Sequence, residues 1–465
     1  MKNSTKLLLS AAALPFFAAT LLAQQPTQAV DSGTKTETAK PKSDSTSNAA
    51  KKISTVPAIE FQHLRPADQR GLNVFETPKY DTVPYTGFKL GWGAAFTQQF
   101  QGLRHSNTAA AKYDPTAPTV NQNQLITIGN GFNNAVANLY LNAQVAKGIR
   151  LAMTSYASAR HHQESWIKDG YALIDESPID NPLLNGIMKY TTLRVGHFEI
   201  NYGDQHFRRT DNGQAMYNPF VGNLILDAFT TEIGGEVYLR NGPWMLMGGV
   251  TGGEVHGQVT APAKRSQSYL GKIGFDKSFA PELRFRLTGS MYANGQSASN
   301  TLFTGDRAGS RYYDVLENTA STETANAWSG AIRPGFSNNV HSYVVNPFIK
   351  VAGVEFFGNL ETASGKGGTE LNNRTIRQQA YEGLYRFAKD QLYVATRYNT
   401  VKGELAGIAN DITVNRWQYS AGWFVTPLLL TKVEYVNQKY LDFPSTDIRN
   451  GGQFKGFMVE GVLAF

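Results

Sequence analysis

From Gly87 onward the chain alternates apolar and polar side chains with period two, and the pattern barely pauses before the last residue. Between Phe88 and Phe100 one face carries Phe88, Leu90, Trp92, Ala94, Phe96, Gln98 and Phe100. The other carries Lys89, Gly91, Gly93, Ala95, Thr97 and Gln99. Successive side chains of a strand point to opposite faces, so this reads as a strand with one apolar side, longer than most soluble strands. The same pattern returns at 149–154, 229–240, 283–292, 416–425 and 457–465.

Alternation alone also fits a soluble β-protein, but connection lengths discriminate. Short turns at Ala146–Gly148, Asn241–Pro243, Ala280–Pro281, Lys389–Asp390 and Pro427 alternate with longer polar loops. Transmembrane barrels have this asymmetry. At ~3.3 Å per residue and ~40° tilt, the stretch from Phe88 to Phe100 spans about 30 Å, which places an aromatic near each edge of an apolar band.

Fifteen segments are recognisable, starting near 87, 135, 149, 166, 190, 229, 243, 268, 281, 346, 378, 391, 413, 429 and 454. With both termini at one end of the barrel, the segments near 281 and 346 run in the same direction. One strand must therefore be missing, and the sequence places it between 300 and 340, around Ser310–Leu316. The expected fold is an all-β, sixteen-stranded transmembrane antiparallel barrel over residues 85–465.

Composition narrows the alternatives. There is no cysteine, which removes disulfide scaffolds, thiolate metal sites and cysteine nucleophiles. Charged residues make up 17%, below a typical ~25%. The net charge of +7 comes from dispersed residues, so no nucleic-acid footprint is present. The only long apolar run is Leu7 to Ala23, after Lys2 and Lys6 and broken by Pro15, which reads as a signal peptide over 1–23. Cleavage is expected after Ala23, with Ala29 as the alternative. Residues 24–54 lack aromatics and read as a disordered tether, within a periplasmic lead-in running to residue 84.

Certain strings resemble a known family. Leu193-Arg-Val-Gly-His-Phe198 followed by Asn201-Tyr-Gly203 is similar to a strand of the bacterial phosphate-selective porin O and P family. Asn346-Pro-Phe-Ile-Lys350 running into Gly353-Val-Glu-Phe-Phe-Gly358 resembles that family's strand entering its second half. Residues 208–223 sit where porins fold their third loop into the pore. The resemblance implies a passive outer-membrane channel of a Gram-negative cell, usually trimeric, with a basic constriction and no cofactor. It also implies contact with outer-membrane lipid and lipopolysaccharide. Porins ending in an aromatic make Phe465 an expected signal for the barrel-assembly machinery.

The polar face carries the candidate chemistry. Arg150, Arg160, Arg194, Arg240, Arg284, Arg286, Arg397 and Arg416 are expected on the lumen wall, against Glu232, Glu236 and Glu460. A basic ring selects anions, although polar residues line any wet lumen and Arg–Glu pairs also brace walls. Arg208 and Arg209, on the 201–227 connection, are the expected constriction. Asp204, Asp211 and Asp227 would neutralise them or bind calcium. Six of the eight histidines, His105, His161, His162, His197, His206 and His256, have no metal-ligand spacing among themselves, and no G-x-S-x-G elbow or phosphate loop occurs. A diffusion porin for small polar solutes, anion-preferring, is therefore the leading reading, and the family resemblance implies phosphate among its solutes. A channel for a sugar or organic acid, with Tyr238 and Tyr292 facing the lumen, is the second. A surface enzyme or adhesin using loops 104–134 and 295–345 is the third.

Overall fold

The computed structural model describes residues 56–465, apart from 78, 80–82, 160–163, 254–258, 260–261 and 306–310. The leader (1–23), the stretch 24–54, Arg160, His161, His162 and His256 lie outside the described residues.

Sixteen wall strands follow in order: β1 (Lys89–Ser106), β2 (Val136–Ala146), β3 (Ile149–Ser158), β4 (Glu164–Ile174), β5 (Thr191–Glu199), β6 (Thr231–Asn241), β7 (Trp244–Thr251) and β8 (Ser268–Ala280). The second half is β9 (Leu283–Asn294), β10 (Asn339–Val351), β11 (Val354–Lys366), β12 (Arg374–Phe387), β13 (Leu392–Gly403), β14 (Ile412–Thr426), β15 (Leu429–Leu441) and β16 (Gln453–Ala464). Each pairs antiparallel with its neighbours. β1 pairs with β2 on one side and with β16 on the other, so the sheet closes on itself. The seam ends on the terminal residue, where Phe465 N–H donates to Ala94 O and Ala94 N–H to Phe465 O (2.9 and 3.0 Å).

The count of sixteen stands, but its sixteenth member is elsewhere. Residues 311–316 form turns and bends inside the barrel, not a strand. The strand the sequence reading missed is β11, joined to β10 by Ala352–Gly353 with φ of 45° and 86°, the positive-φ pair that tight hairpins favour. The string 346–358 thus straddles a hairpin.

The expected faces hold along β1 and β14. Leu90, Trp92 and Phe96, like Trp417, Tyr419 and Trp423, are exposed outward. Trp92, Trp244, Phe279 and Phe387 ring the end that carries the short turns and the C-terminus (the terminal end). Phe100, Phe132, Tyr269 and Phe457 lie towards the loop end. A closed wall with an apolar belt between two aromatic girdles has the surface chemistry of a membrane-spanning barrel. Among the described residues no helix is long and apolar enough to cross a membrane. One short helix, α1 (Pro182–Met188), lies in the β4–β5 connection at the terminal end.

Candidate functional site: a filled lumen with an open cavity

The lumen is packed with chain from three segments. The connection 200–230 leaves β5 and crosses to the opposite wall. There Ile225 N–H donates to Asn399 on β13, Leu226 N–H to Gln378 on β12 and Val221 N–H to Glu434 on β15 (2.7–2.9 Å). Gly213 lies against the wall so closely that a Cβ would meet Ala137 Cα and Ala95 O, each at 2.7 Å. The described parts of the connection 295–338 also fold inward. Gly330 O accepts from Arg416, and Tyr313 N–H donates to Gln101. Phe198, Val221, Ile225, Tyr312, Val315, Ile332 and Val344 make an apolar core inside the barrel.

The third segment, residues 56–77 with Lys79, is a strap across the terminal-end mouth. Gln62 Oε1 accepts from Gly148 in the β2–β3 turn at 2.9 Å. Gln69 donates to Pro427 O and Asp390 O in the turns across the mouth. Asn73 Nδ2 donates to Glu355 on β11 at 2.7 Å. Glu76 pairs with Lys272 on β8 and Arg286 on β9 (2.9 and 2.7 Å). Lys79 closes the circuit on Asp175 at 2.9 Å. Burial by itself would raise the Glu76 carboxyl, but Arg286, Lys272 and Arg240 hold it well below the ordinary carboxylate range.

The described members of the expected basic wall all face inward, and most are spent on carboxylates. Arg194 holds Glu236 at 2.5 Å, Arg284 holds Asp276, and Arg397 holds Glu382. Arg286 grips both Asp204 and Glu76. Arg416 is buried on Asn223 O, Gly330 O and Gln438 (2.5–2.7 Å). Arg208 and Arg209 are both in the lumen and both buried. Arg208 pairs with Glu382, and Arg209 with Asp227 at 2.6 Å beneath the Phe229 ring. Of the three aspartates weighed as a calcium site, Asp227 neutralises Arg209, Asp204 takes Arg286 and Lys272, and Asp211 takes Lys168.

The lumen holds more acids than Glu232, Glu236 and Glu460. Glu355, Glu361, Glu382 and Glu434 also face inward and are buried. Face assignment on β12 and β15 would have found Glu382 and Glu434. Glu76 gave no signal, because the lead-in has no alternation. Tyr238 and Tyr292 face inward as expected, and both are buried, with Tyr292 Oη on Glu232 at 2.6 Å. His105, His197 and His206 serve as hydrogen-bond partners of Ile126 O, Thr231 and Asn201. Burial and the nearby Lys272 ammonium push the His206 imidazole well below its ordinary value.

The described residues line at least two open spaces. One, of about 370 Å³, lies at the terminal end between the strap and β2–β6. Phe61, Arg65, Asn142, Arg150, Lys168, Asp169, Arg194, His206, Phe207, Tyr217 and Arg240 line it. Three of its cations make no ion pair among the described residues. Arg65 donates to Gly71 O and Phe207 O, Arg150 to Asn142 and His63 O, and Arg240 to Thr77 O. A second space, of about 640 Å³, opens at the loop end beside Lys112, Glu317, Trp328 and Arg449.

No family model and no curated protein matches the chain. Among solved structures it is similar to the anion-selective porin from Comamonas acidovorans (10% identity, 82% of this chain, 99% of that one, TM-score 0.49). It is also similar to a loop L8 deletion mutant of OmpT, an outer membrane protein of Vibrio cholerae (10%, 82%, 100%, 0.48). A third similarity is to the outer membrane channel DcaP of Acinetobacter baumannii (11%, 82%, 99%, 0.47). At these scores the barrel rests on its own strand pairing.

Proposed function

We propose that the chain is a passive channel of a bacterial outer membrane, admitting small hydrophilic solutes and preferring anions. The terminal end then faces the periplasm. The observation that carries the preference is the cavity with Arg65 and Arg150 on its wall, two guanidiniums held by carbonyl and amide oxygens and in no ion pair among the described residues. A cation without a carboxylate partner keeps its field for a passing solute, and in a narrow, partly desolvated passage that field is screened less than in bulk water. The connection 200–230, between the two cavities, is the main barrier. Arg208 and Arg209 enter this reading as braces of that barrier, because each is held on a buried carboxylate. Phosphate as a preferred anion, and a homotrimer, belong to the same reading through the family resemblance.

A small organic acid is a second reading. It is supported by the aromatic lining of Phe61, Phe207 and Tyr217 beside Arg65, whose guanidinium lies 3.8 Å from the Tyr217 ring centre. The deciding experiment is bilayer conductance in a salt gradient. A reversal potential favouring the anion supports the proposal, and cation preference overturns it. Competition by phosphate or by benzoate would then rank the solutes.

A further inference from the structure

The β4–β5 connection is out of scale with its end of the barrel. The other terminal-end connections between wall strands, such as Gly242–Pro243, Pro281–Glu282 and Ala352–Gly353, need only a few residues. This one takes residues 175–190 and spends them on α1. Asn181 caps the helix by accepting from Leu183 N–H and Leu184 N–H (3.0 and 3.2 Å), and Pro182 occupies the first turn. A deliberately capped helix would be expected to bury its apolar side chains, yet none is buried. Leu183 is 72% exposed, Ile179 62% and Ile187 50%.

Strand register says which side of the wall the helix occupies. Thr191 on β5 is paired directly with Leu239 on β6, and directly opposed residues share a face. Leu239 is exposed outward, so Thr191 also points outward. Thr191 is nonetheless only 6% exposed, because the end of α1 lies on it and Ile187 O accepts its hydroxyl at 2.9 Å. The helix therefore rests on the outer face of the wall, at the margin of the apolar belt. Beside it Tyr190 is exposed, with the Lys189 ammonium 5.4 Å from its ring centre, the pairing that membrane margins favour.

We infer that α1 is an interfacial anchor whose Ile179, Leu183 and Ile187 dip into the lipid boundary of the inner leaflet. The occupant is lipid because these side chains continue the belt formed by Val195, Val237 and Leu239 on the same face. A few side chains on one short helix are too small a patch to hold a second copy, since stable interfaces bury well over about 1,000 Å². The inference rests on the membrane-barrel reading.

The chain has no cysteine, so single labelling sites can be introduced cleanly. Leu183→Cys, Ile187→Cys, Val195→Cys and Lys147→Cys, each in the full-length protein and carrying an NBD label, would be reconstituted into phosphatidylethanolamine/phosphatidylglycerol vesicles. The vesicles would contain lipid bearing a nitroxide quencher at a shallow or a deep chain position. Val195 lies about 13 Å along β5 from Thr191 and reports the belt; Lys147, in a terminal-end turn, reports water. The expected result is shallow-quencher loss at 183 and 187 at least threefold greater than at 147, with the deep quencher acting most at 195. Quenching at 183 and 187 no greater than at 147, while 195 is quenched, overturns the anchor and leaves the barrel reading intact. Labels at 183 and 187 shielded from both lipid quencher and aqueous iodide, with disulfide cross-linking between copies, overturn it in favour of a subunit contact. A label at 195 that lipid does not quench overturns the barrel reading, and the anchor with it.

Discussion

Asp175 Oδ2 lies 2.8 Å from Nε2 of His63, while Lys79, further along the same strap, holds the other carboxylate oxygen at 2.9 Å. One buried acid just after β4 thus fastens both ends of the segment that covers the terminal-end mouth. Asp175→Asn keeps the shape and removes the charge. Losing one partner of a buried pair costs about 3–5 kcal/mol, so the strap should become a protease target at neutral pH. Limited proteolysis followed by mass spectrometry would map cuts to 56–79.

The same acid sets a pH dependence. Burial pushes the Asp175 carboxyl up, but His63, Thr192 and Lys79 outweigh it and hold the group below its ordinary value. A depressed carboxylate stabilises the folded form above its unfolded value of about 3.9, and that stabilisation is lost as pH falls through the depressed value. Conductance between pH 7 and 5 should therefore be insensitive to Asp175. It should rise on acidification below about pH 4, and Asp175→Asn should reduce the rise to the part that follows from protonating Glu76, the strap's other depressed carboxyl.

Deleting 56–79 should leave sixteen strands paired, because the strap contributes none of them. Heat-modifiable migration should persist and single-channel conductance should increase. An unchanged conductance would mean that the strap does not limit the passage.

Selectivity and bracing should separate by mutation. Arg150→Gln should move the zero-current potential towards cations with little loss of stability, since this arginine holds no carboxylate among the described residues. Arg209→Ala leaves Asp227 without its 2.6 Å partner and should cost about 3–5 kcal/mol. Urea titration of the folded band would read the second effect, and bilayer recording the first. Gly213→Ala, which drives a methyl into the β1–β2 wall, should dislodge the same connection and raise current noise.

Phe465 closes the seam through two backbone hydrogen bonds to Ala94, and its ring packs on Trp92 at 5.5 Å. Phe465→Asp would place a charge at the belt margin, where charged substitutions cost up to about 1 kcal/mol for geometry alone. A much larger fall in assembled protein, measured by outer-membrane fractionation, would mark a role in recognition by the assembly machinery.

The wall was legible because lipid on one side imposes a strict rule: every second residue of a spanning strand must be apolar. That rule located β1, β6 and β14, assigned their faces, and by parity required a sixteenth strand. It failed where the inner face is also apolar. In β10 and β11, Val344, Phe348 and Phe357 point inward, and the adjacent Phe356 and Phe357 erase the alternation. Their partners are remote in sequence. Phe75 of the strap packs on Phe348 at 5.4 Å, and Val344 belongs to the core built by the inserted connections.

What fills the barrel was decided by tertiary structure alone. A polar inward face states only that lipid is absent, because water and buried protein carboxylates satisfy Arg194, Arg286 or Arg397 equally well. The sequence determined an outer surface set by one uniform solvent. The lumen was set by particular partners such as Glu236, Asp204 and Glu382, and pairing of that kind becomes visible only once the chain has closed on itself.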